Sequence, residues 1–329
     1  MCGIFLVAAL YSYSTWKTKY LNGFIRNLPS HIVLGERAVR LPNASWYLSG
    51  MDSINLYLAN SSIRNKLLIV NYRTYDTKMV TLTVADTIHF TKNVMIKVKE
   101  NRLYLFDGLR PALLEGQIPQ GRFNQVVKPL FNSSAIPLSP NSFVFRVYGK
   151  EKQNVLIKSV NGKIIARYVL EKQGDGIFST DGTMNVDQTG TKIFYNYYYH
   201  NRITCLDTNL KVIYLSKTID TVNHAQLKIG RIKSLHQLTL SAPPLFVNKQ
   251  CTANCKYIFV HSALKADNEI GGIFKNYNPI DVYNSNDGSY LQSFYVINLK
   301  GEKMKDFRVF GNTLISLYDH YIYIHRLKF

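Results

Sequence analysis

The sequence predicts an all-β fold, and three observations carry that prediction. Helical periodicity is almost absent after residue 50. In its place stand short runs of alternating or β-branched and aromatic residues, parted by turn residues. Composition agrees, since 23 Tyr and 17 Phe against 2 Trp suit half-buried strands whose ring faces pack while phenol tips reach water. Finally, 46% hydrophobic and 19% charged residues over 329 positions are enough to bury a core and argue against disorder.

The strand-like runs fall into groups. "INLYLAN", "KLLIVNY" and "MVTLTV" form the first, and "VMIKVK", "RLYLFDG" and "PALLEGQI" the second. "FVFRVYG", "NVLIKSV" and "KIIARYVLE" follow, the last two joined by the turn "VNGK". A fourth set is "TMNVDQ", "KIFYNYYY", "RITCLDT" and "KVIYLSK". The fifth contains "QLKIG", "KYIFVHS", "IDVYNSN" and "YLQSFYV", and the sixth "DFRVFG", "TLISLYD" and "YIYIHRL". Third strands would start near Lys78, Pro111, Asn154, Arg202, Pro279 and Tyr321, giving gaps of 33, 43, 48, 77 and 42 residues. Four of those gaps cluster about the length of one propeller blade, roughly 40–50 residues. The long gap marks a blade with an insertion, where residues 230–256 and 264–278 read as loops. The expected fold is therefore a six-bladed β-propeller. The last group shows three strands, which leaves "HIVLGERAVRL" near the N-terminus to close the ring and remove its open edge.

One strand is conspicuously aromatic. In "KIFYNYYYHN", Ile193, Tyr195, Tyr197 and Tyr199 fall on one face and Phe194, Asn196 and Tyr198 on the other. Packing between blades uses both faces, so the run reads as structure and His200 as a turn residue. Asp107-Gly108, Asn161-Gly162 and Asn286-Asp287-Gly288 read as hairpin turns.

The first sixteen residues, "MCGIFLVAALYSYSTW", carry no charged side chain, and Lys17, Lys19 and Arg26 follow. A membrane span needs roughly 17–25 residues, and a signal peptide needs a basic start and a small-residue cleavage site. The run is read as a short hydrophobic helix that anchors the chain, with a buried helix as the competing reading. The division expected is residues 1–30 as membrane anchor and stalk and residues 31–329 as propeller.

Net charge is +19, from 40 basic and 21 acidic residues. Such a surface attracts an acidic protein, an anionic ligand or a lipid face, and charge alone does not choose. Nucleic-acid binders concentrate their cations on one helix or loop, whereas here no two Lys or Arg are adjacent; nucleic acid is set aside as a partner. Of four cysteines, Cys2 lies in the apolar run and Cys205 alternates into a strand. Cys251 and Cys255 in "NKQCTANCKY" bracket three residues and are read as a local disulfide over free thiols. Metal binding competes, but no second Cys or His pair with zinc spacing follows.

The segments "SWYLSGMDSINLYLAN", "RLYLFDG", "ADNE" at residues 266–269 and "IDVYNSNDGSYLQSFYV" resemble a group of six-bladed propeller proteins from Bacteroidota envelopes. These carry an N-terminal membrane anchor and are broadly similar to TolB-like and NHL-type propellers. The likeness covers most of the chain from Ser45 onward and rests on blade-turn sequences. It implies a fold and an address, a periplasmic propeller on the inner membrane, and no activity.

Candidate chemistry is sparse. No G-x-S-x-G, Walker loop, dinucleotide fingerprint or H-E-x-x-H is present. Lactonase-type propellers hold a divalent ion such as calcium at the channel mouth with carboxylates and amides, the hard oxygen ligands that ion requires. Asp267, Asn268 and Glu269 are the best local cluster of that kind, and His200 joins them as a candidate ligand-binding residue. The leading expectation is a monomeric, non-catalytic interaction or ligand-binding module of the envelope. The alternative is a metal-dependent hydrolase or lactonase, or a subunit of an envelope redox system.

Overall fold

The computed structural model describes residue 7 and residues 22–30, 32–84, 91, 94–109, 112–118, 121–127, 132–232, 234, 237–269 and 272–329. Most of the expected anchor, Cys2 included, lies outside them. Among the described residues no helix is long and apolar enough to cross a membrane.

Six four-stranded antiparallel sheets form the ring. Strand β1 (Val33–Arg40) stands apart from its neighbours in sequence. Blade 1 is β2–β5 (Trp46–Met51, Asn55–Asn60, Lys66–Asn71, Thr77–Thr81), and blade 2 is β6–β9 (Val94–Lys99, Arg102–Asp107, Ala112–Gln117, Phe123–Val127). Blade 3 is β10–β13 (Ser134–Ser139, Ser142–Tyr148, Asn154–Val160, Lys163–Val169), and blade 4 is β14–β17 (Gly182–Val186, Lys192–Tyr197, Arg202–Asp207, Val212–Lys217). A two-stranded hairpin, β18 (Ile229–Ile232) and β19 (Gln237–Leu240), is inserted next. Blade 5 is β20–β23 (Asn248–Ala253, Tyr257–Ser262, Tyr277–Asn284, Tyr290–Ile297), with one helical turn, Ile273–Asn276, before its third strand. Blade 6 takes β24–β26 (Asp306–Phe310, Thr313–Leu317, Tyr321–Leu327) and is completed by β1, with Val33 opposite Leu327 and Arg40 opposite Tyr321. The N-terminal strand thus closes the ring, as the sequence predicts.

Two sequence readings are corrected. The first blade begins one strand earlier than expected, because "WYLSGM" is its innermost strand; true third strands start at Lys66, Ala112, Asn154, Arg202, Tyr277 and Tyr321. Residues 230–256 are not loop throughout, since they contain most of the β18–β19 hairpin and β20, the innermost strand of blade 5. Its sequence, "NKQCTA", lacks the apolar alternation of a half-buried strand because one edge faces the channel.

The innermost strands β2, β6, β10, β14, β20 and β24 neighbour one another in that order around the axis. The core is correspondingly divided. One apolar cluster fills each of the six blade interfaces, and a smaller seventh lies beneath residue Phe24. Alternation along each strand supplies both of its neighbours. In β15, Ile193, Tyr195 and Tyr197 enter the interface with blade 3, while Phe194 enters that with blade 5. The Tyr195 hydroxyl donates to the Thr180 carbonyl at 2.6 Å and accepts from Arg146 at 3.0 Å, so the aromatic strand is packing. Turn chemistry follows sequence too: Asn161 (φ 48°) and Gly162 (φ 78°) occupy the left-handed positions of the tight turn between β12 and β13.

Candidate functional site

Two places in the ring gather buried charge. At the first, residues 22–30 form an extended strap that crosses blade 5. The Phe24 carbonyl accepts from the Asp267 amide at 2.8 Å, and the Asn27 carbonyl accepts from Ser293 in the outer strand β23 at 2.7 Å. Phe24 packs on Val247, Leu264 and Ala266. Arg26 is 3% exposed, and every edge of its guanidinium is used. Nε donates to Asp281 Oδ1 at 2.7 Å, Nη1 to Glu269 Oε1 at 2.7 Å, and Nη2 to the Leu264 carbonyl at 3.1 Å. Burial works against this cation, and the Asp281 and Glu269 carboxylates more than reverse that, holding its pKa above the ordinary arginine value.

The predicted cluster 267–269 is the receptor for this strap. Asp267 accepts from the backbone N–H groups of Asn22 (2.6 Å) and Gly23 (3.0 Å). Asn268 exchanges two hydrogen bonds with the Arg26 backbone, at 3.0 and 2.8 Å. Glu269 takes Arg26 and the Tyr295 hydroxyl (2.7 Å) on one oxygen and the Ala266 amide (2.7 Å) on the other. The three residues do come together, but their oxygens already accept from N–H and O–H donors. They do not fit a calcium-like ion, which needs those lone pairs. Among the described residues no group of three His, Cys, Asp or Glu side chains is placed to hold a metal ion. His200 does not join them. It is buried at the turn after β15, its ring 4.3 Å from Tyr197, and burial followed by repulsion from Arg202 lowers its pKa to about 4.

Cys251 and Cys255 are free thiols, so the expected disulfide is not formed. Cys251 sits in β20 opposite Val260, buried between blades 4 and 5, while Cys255 lies exposed in the turn that follows. Burial raises the Cys251 thiol to about 12 and the Cys205 thiol to about 11. Neither is a thiolate near neutral pH.

The second place is the central channel. A cavity of about 410 Å³ touches all six innermost strands. Five of them contribute residues at or near their C-terminal ends, so the cavity lies toward the mouth opposite the connection between β21 and β22 that carries residues 267–269. Its acidic side chains are largely committed. Asp52 accepts from the Ile54 and Asn55 amides at 2.8 Å each and from the Tyr57 hydroxyl at 2.7 Å. Asp187 accepts from Thr191 and Lys192 amides at 2.8 and 3.0 Å and from the Thr189 hydroxyl. Glu100 is exposed at the rim.

Its cations divide differently. Lys99 donates to the Leu138 carbonyl. Lys97 makes no hydrogen bond or ion pair among the described residues. Burial, and then repulsion from Arg308, lowers its pKa to about 8, with Asp306 opposing. Arg308 donates from Nη1 to Asn185 Oδ1 at 2.8 Å, yet its buried Nε has no partner. Asn185 in turn donates to the Cys251 carbonyl, which fixes its amide orientation. Nothing in the sequence marks Lys97 and Arg308, which look like ordinary solvated cations in "VMIKVK" and "DFRVFG".

No family model matches the chain, and no curated protein is similar to it in sequence. Solved structures similar to it in fold include two from Bacteroides species. One is a protein of Bacteroides fragilis NCTC 9343, provisionally named as exported, at 10% identity and a TM-score of 0.55, covering 92% of this chain and 98% of that one. The other is a member of the DUF4221 family from Bacteroides vulgatus ATCC 8482, at 11% identity and a TM-score of 0.54, covering 90% and 97%. Their source fits the resemblance drawn from the sequence, and at such identities the likeness speaks for the fold alone.

Proposed function

We propose that this propeller is a binding module of the cell envelope whose central channel receives an acidic ligand. The observation that carries this reading is the cavity itself, where all six blades meet and the half-buried cations Lys97 and Arg308 have no carboxylate in ion-pair contact among the described residues. Asp52 and Asp187 are occupied by turn and hydroxyl donors and Glu100 is exposed at the rim, so none of them pairs with these cations. The buried histidines and cysteines support binding over catalysis. His200 and His325 are lowered to about 4 and His261 to about 3, each chiefly by burial, which leaves them poor bases at neutral pH. Attachment to the inner membrane and a periplasmic address are part of the reading. They are supported by the apolar first sixteen residues and by the exported description of the B. fragilis neighbour.

The thermal unfolding midpoint of the protein tests the channel, measured with organic acids and inorganic phosphate beside neutral analogues at fixed ionic strength. Acids are expected to raise it and their neutral analogues to leave it in place. A midpoint indifferent to every acid would end the proposal. The address is tested by fractionating cells that express the full chain, with recovery in the membrane pellet after a high-salt wash as the expected result.

A further inference from the structure

The connection from β17 to β20 leaves the ring and returns to it at the mouth that carries residues 267–269. The strap begins at the same mouth. The Thr221 hydroxyl donates to the Asn22 carbonyl at 2.7 Å, beside the bonds from the Asn22 and Gly23 amides to Asp267. Within the connection, the strands β18 and β19 pair with each other and join no blade. A lone two-stranded hairpin is marginal in water. This one nonetheless turns apolar side chains to solvent, with Ile229, Ile232 and Leu238 exposed by 39%, 40% and 40%. Leu245 and Phe246 follow, also exposed, the Phe246 ring 5.0 Å from Tyr199 in the turn after β15. Lys228 and Arg231 stand exposed in the same hairpin segment, and the sequence holds no Asp or Glu from Thr221 to Ala266.

We propose that this mouth docks on the anionic lipid surface of the membrane that anchors the chain, with the β18–β19 hairpin in the headgroup layer and the channel cavity opening away from it. This rests on the reading of the first sixteen residues as a membrane anchor. An exposed apolar element that carries cations and no acids is complementary to such a surface: its side chains enter the interface while Lys and Arg meet lipid phosphates. The hairpin's free backbone edges confine it to the hydrated headgroup layer, because hydrocarbon leaves such groups unpaired. Distance favours the same mouth. Asn22 lies six residues beyond Trp16, a link that spans at most about 20 Å when fully extended. The opposite mouth is a further strand length away, about 20 Å, and would reach the bilayer only with that link stretched to its limit.

The test uses the full chain reconstituted with phosphatidylcholine vesicles, plain or containing about one third phosphatidylglycerol. Flotation reads the anchor, and hydrogen exchange of the hairpin amides reads the docking. The chain is expected to float with both lipids, while the hairpin amides exchange about tenfold more slowly on the anionic vesicles. Lys228→Glu with Arg231→Glu should abolish that difference and leave flotation in place; the hairpin joins no blade, so the ring keeps its fold. Lys163→Glu with Lys211→Glu makes the same change of charge in turns at the opposite mouth, beside the exposed Ile164, Ile165, Val212 and Ile213, and should have no effect. Loss of protection with this second pair instead would mean that the ring docks the other way up, which overturns the proposal. Equal exchange on the two lipids, with flotation intact, would overturn the docking and leave the anchor standing. A chain that floats with neither lipid would overturn anchor and docking together.

Discussion

Arg26 is buried and the Lys97–Arg308 pair half-buried, and their surroundings are opposite. Around Arg26 the protein supplies two carboxylates and a carbonyl, and each of those carboxylates has further donors: Ser293 on Asp281 at 2.6 Å, Tyr295 on Glu269 at 2.7 Å. Around Lys97 and Arg308 it supplies one amide oxygen and a carboxylate beyond ion-pair range. A buried charge that is fully coordinated belongs to the architecture, because removing it strands its partners. A half-buried charge left short of partners weakens the architecture and is kept at a cost, which is the ground for the proposed anion site.

The largest expected effect therefore falls on the strap. Arg26→Met should destabilise the protein by about 3–5 kcal/mol in urea unfolding, since Glu269 and Asp281 would be left buried and unpaired. Hydrogen exchange should show residues 22–30 losing protection first. Replacing all three groups together, Arg26→Met with Glu269→Gln and Asp281→Asn, should recover much of that loss; no recovery would mean that the strap is held by Phe24 instead.

Protons separate the two places next. His261 is buried, its pKa is lowered to about 3 by burial and by repulsion from Lys249 and Arg26, and both ring nitrogens lack partners. Unfolded histidine takes up a proton near pH 6.5 and the folded one does not, so stability falls as pH drops from 6.5 toward 3. The slope is about 1.4 kcal/mol per pH unit for this residue. His261→Gln should flatten the dependence of the urea midpoint over pH 7 to 5. Lys97 works at the other end. Its folded pKa of about 8 lies below the unfolded value, so stability should rise as pH climbs from about 8 to 10.5.

Lys97→Met should change sign relative to Arg26→Met, adding about 1 kcal/mol at pH 7 by removing a desolvated charge that Arg308 repels. A loss of several kcal/mol instead would make Lys97 an architectural residue and dissolve the contrast. Lys300→Ala, with its exposed stacking on Tyr321, should stay within about 0.5 kcal/mol of the wild type.

Legibility in the sequence followed the same division. The outer strands of each blade, such as "NVLIKSV" and "YIYIHRL", declare themselves because both faces pack and the apolar residues recur at the blade spacing. The innermost strands are harder: Ser134–Ser139 and Asn248–Ala253 border the channel and lose the alternation that marks a strand. The strap has no period at all, being an extended segment held by partners far away in sequence, such as Glu269, 243 residues from Arg26. Asp267, Asn268 and Glu269 were visible as a polar cluster, but the cation that uses Glu269 was not. Lys97 and Arg308 were invisible as a pair because only ring closure brings β6 and β24 to one cavity.

Ring closure also orders events during synthesis. Strand β1 is made before all six blades, and its partner β26 only after the other strands of the ring. Until β26 is made, five blades stand in an open arc with the flank of blade 1 uncovered, and the apolar cluster that Leu41 and Trp46 share with Ile322 and Ile324 is unsatisfied. An exposed flank and an unpaired β1 invite pairing with another nascent chain. The hazard thus lasts until β26 is complete, and a chain cut before Tyr321 would lack both the third strand of blade 6 and the partner of β1.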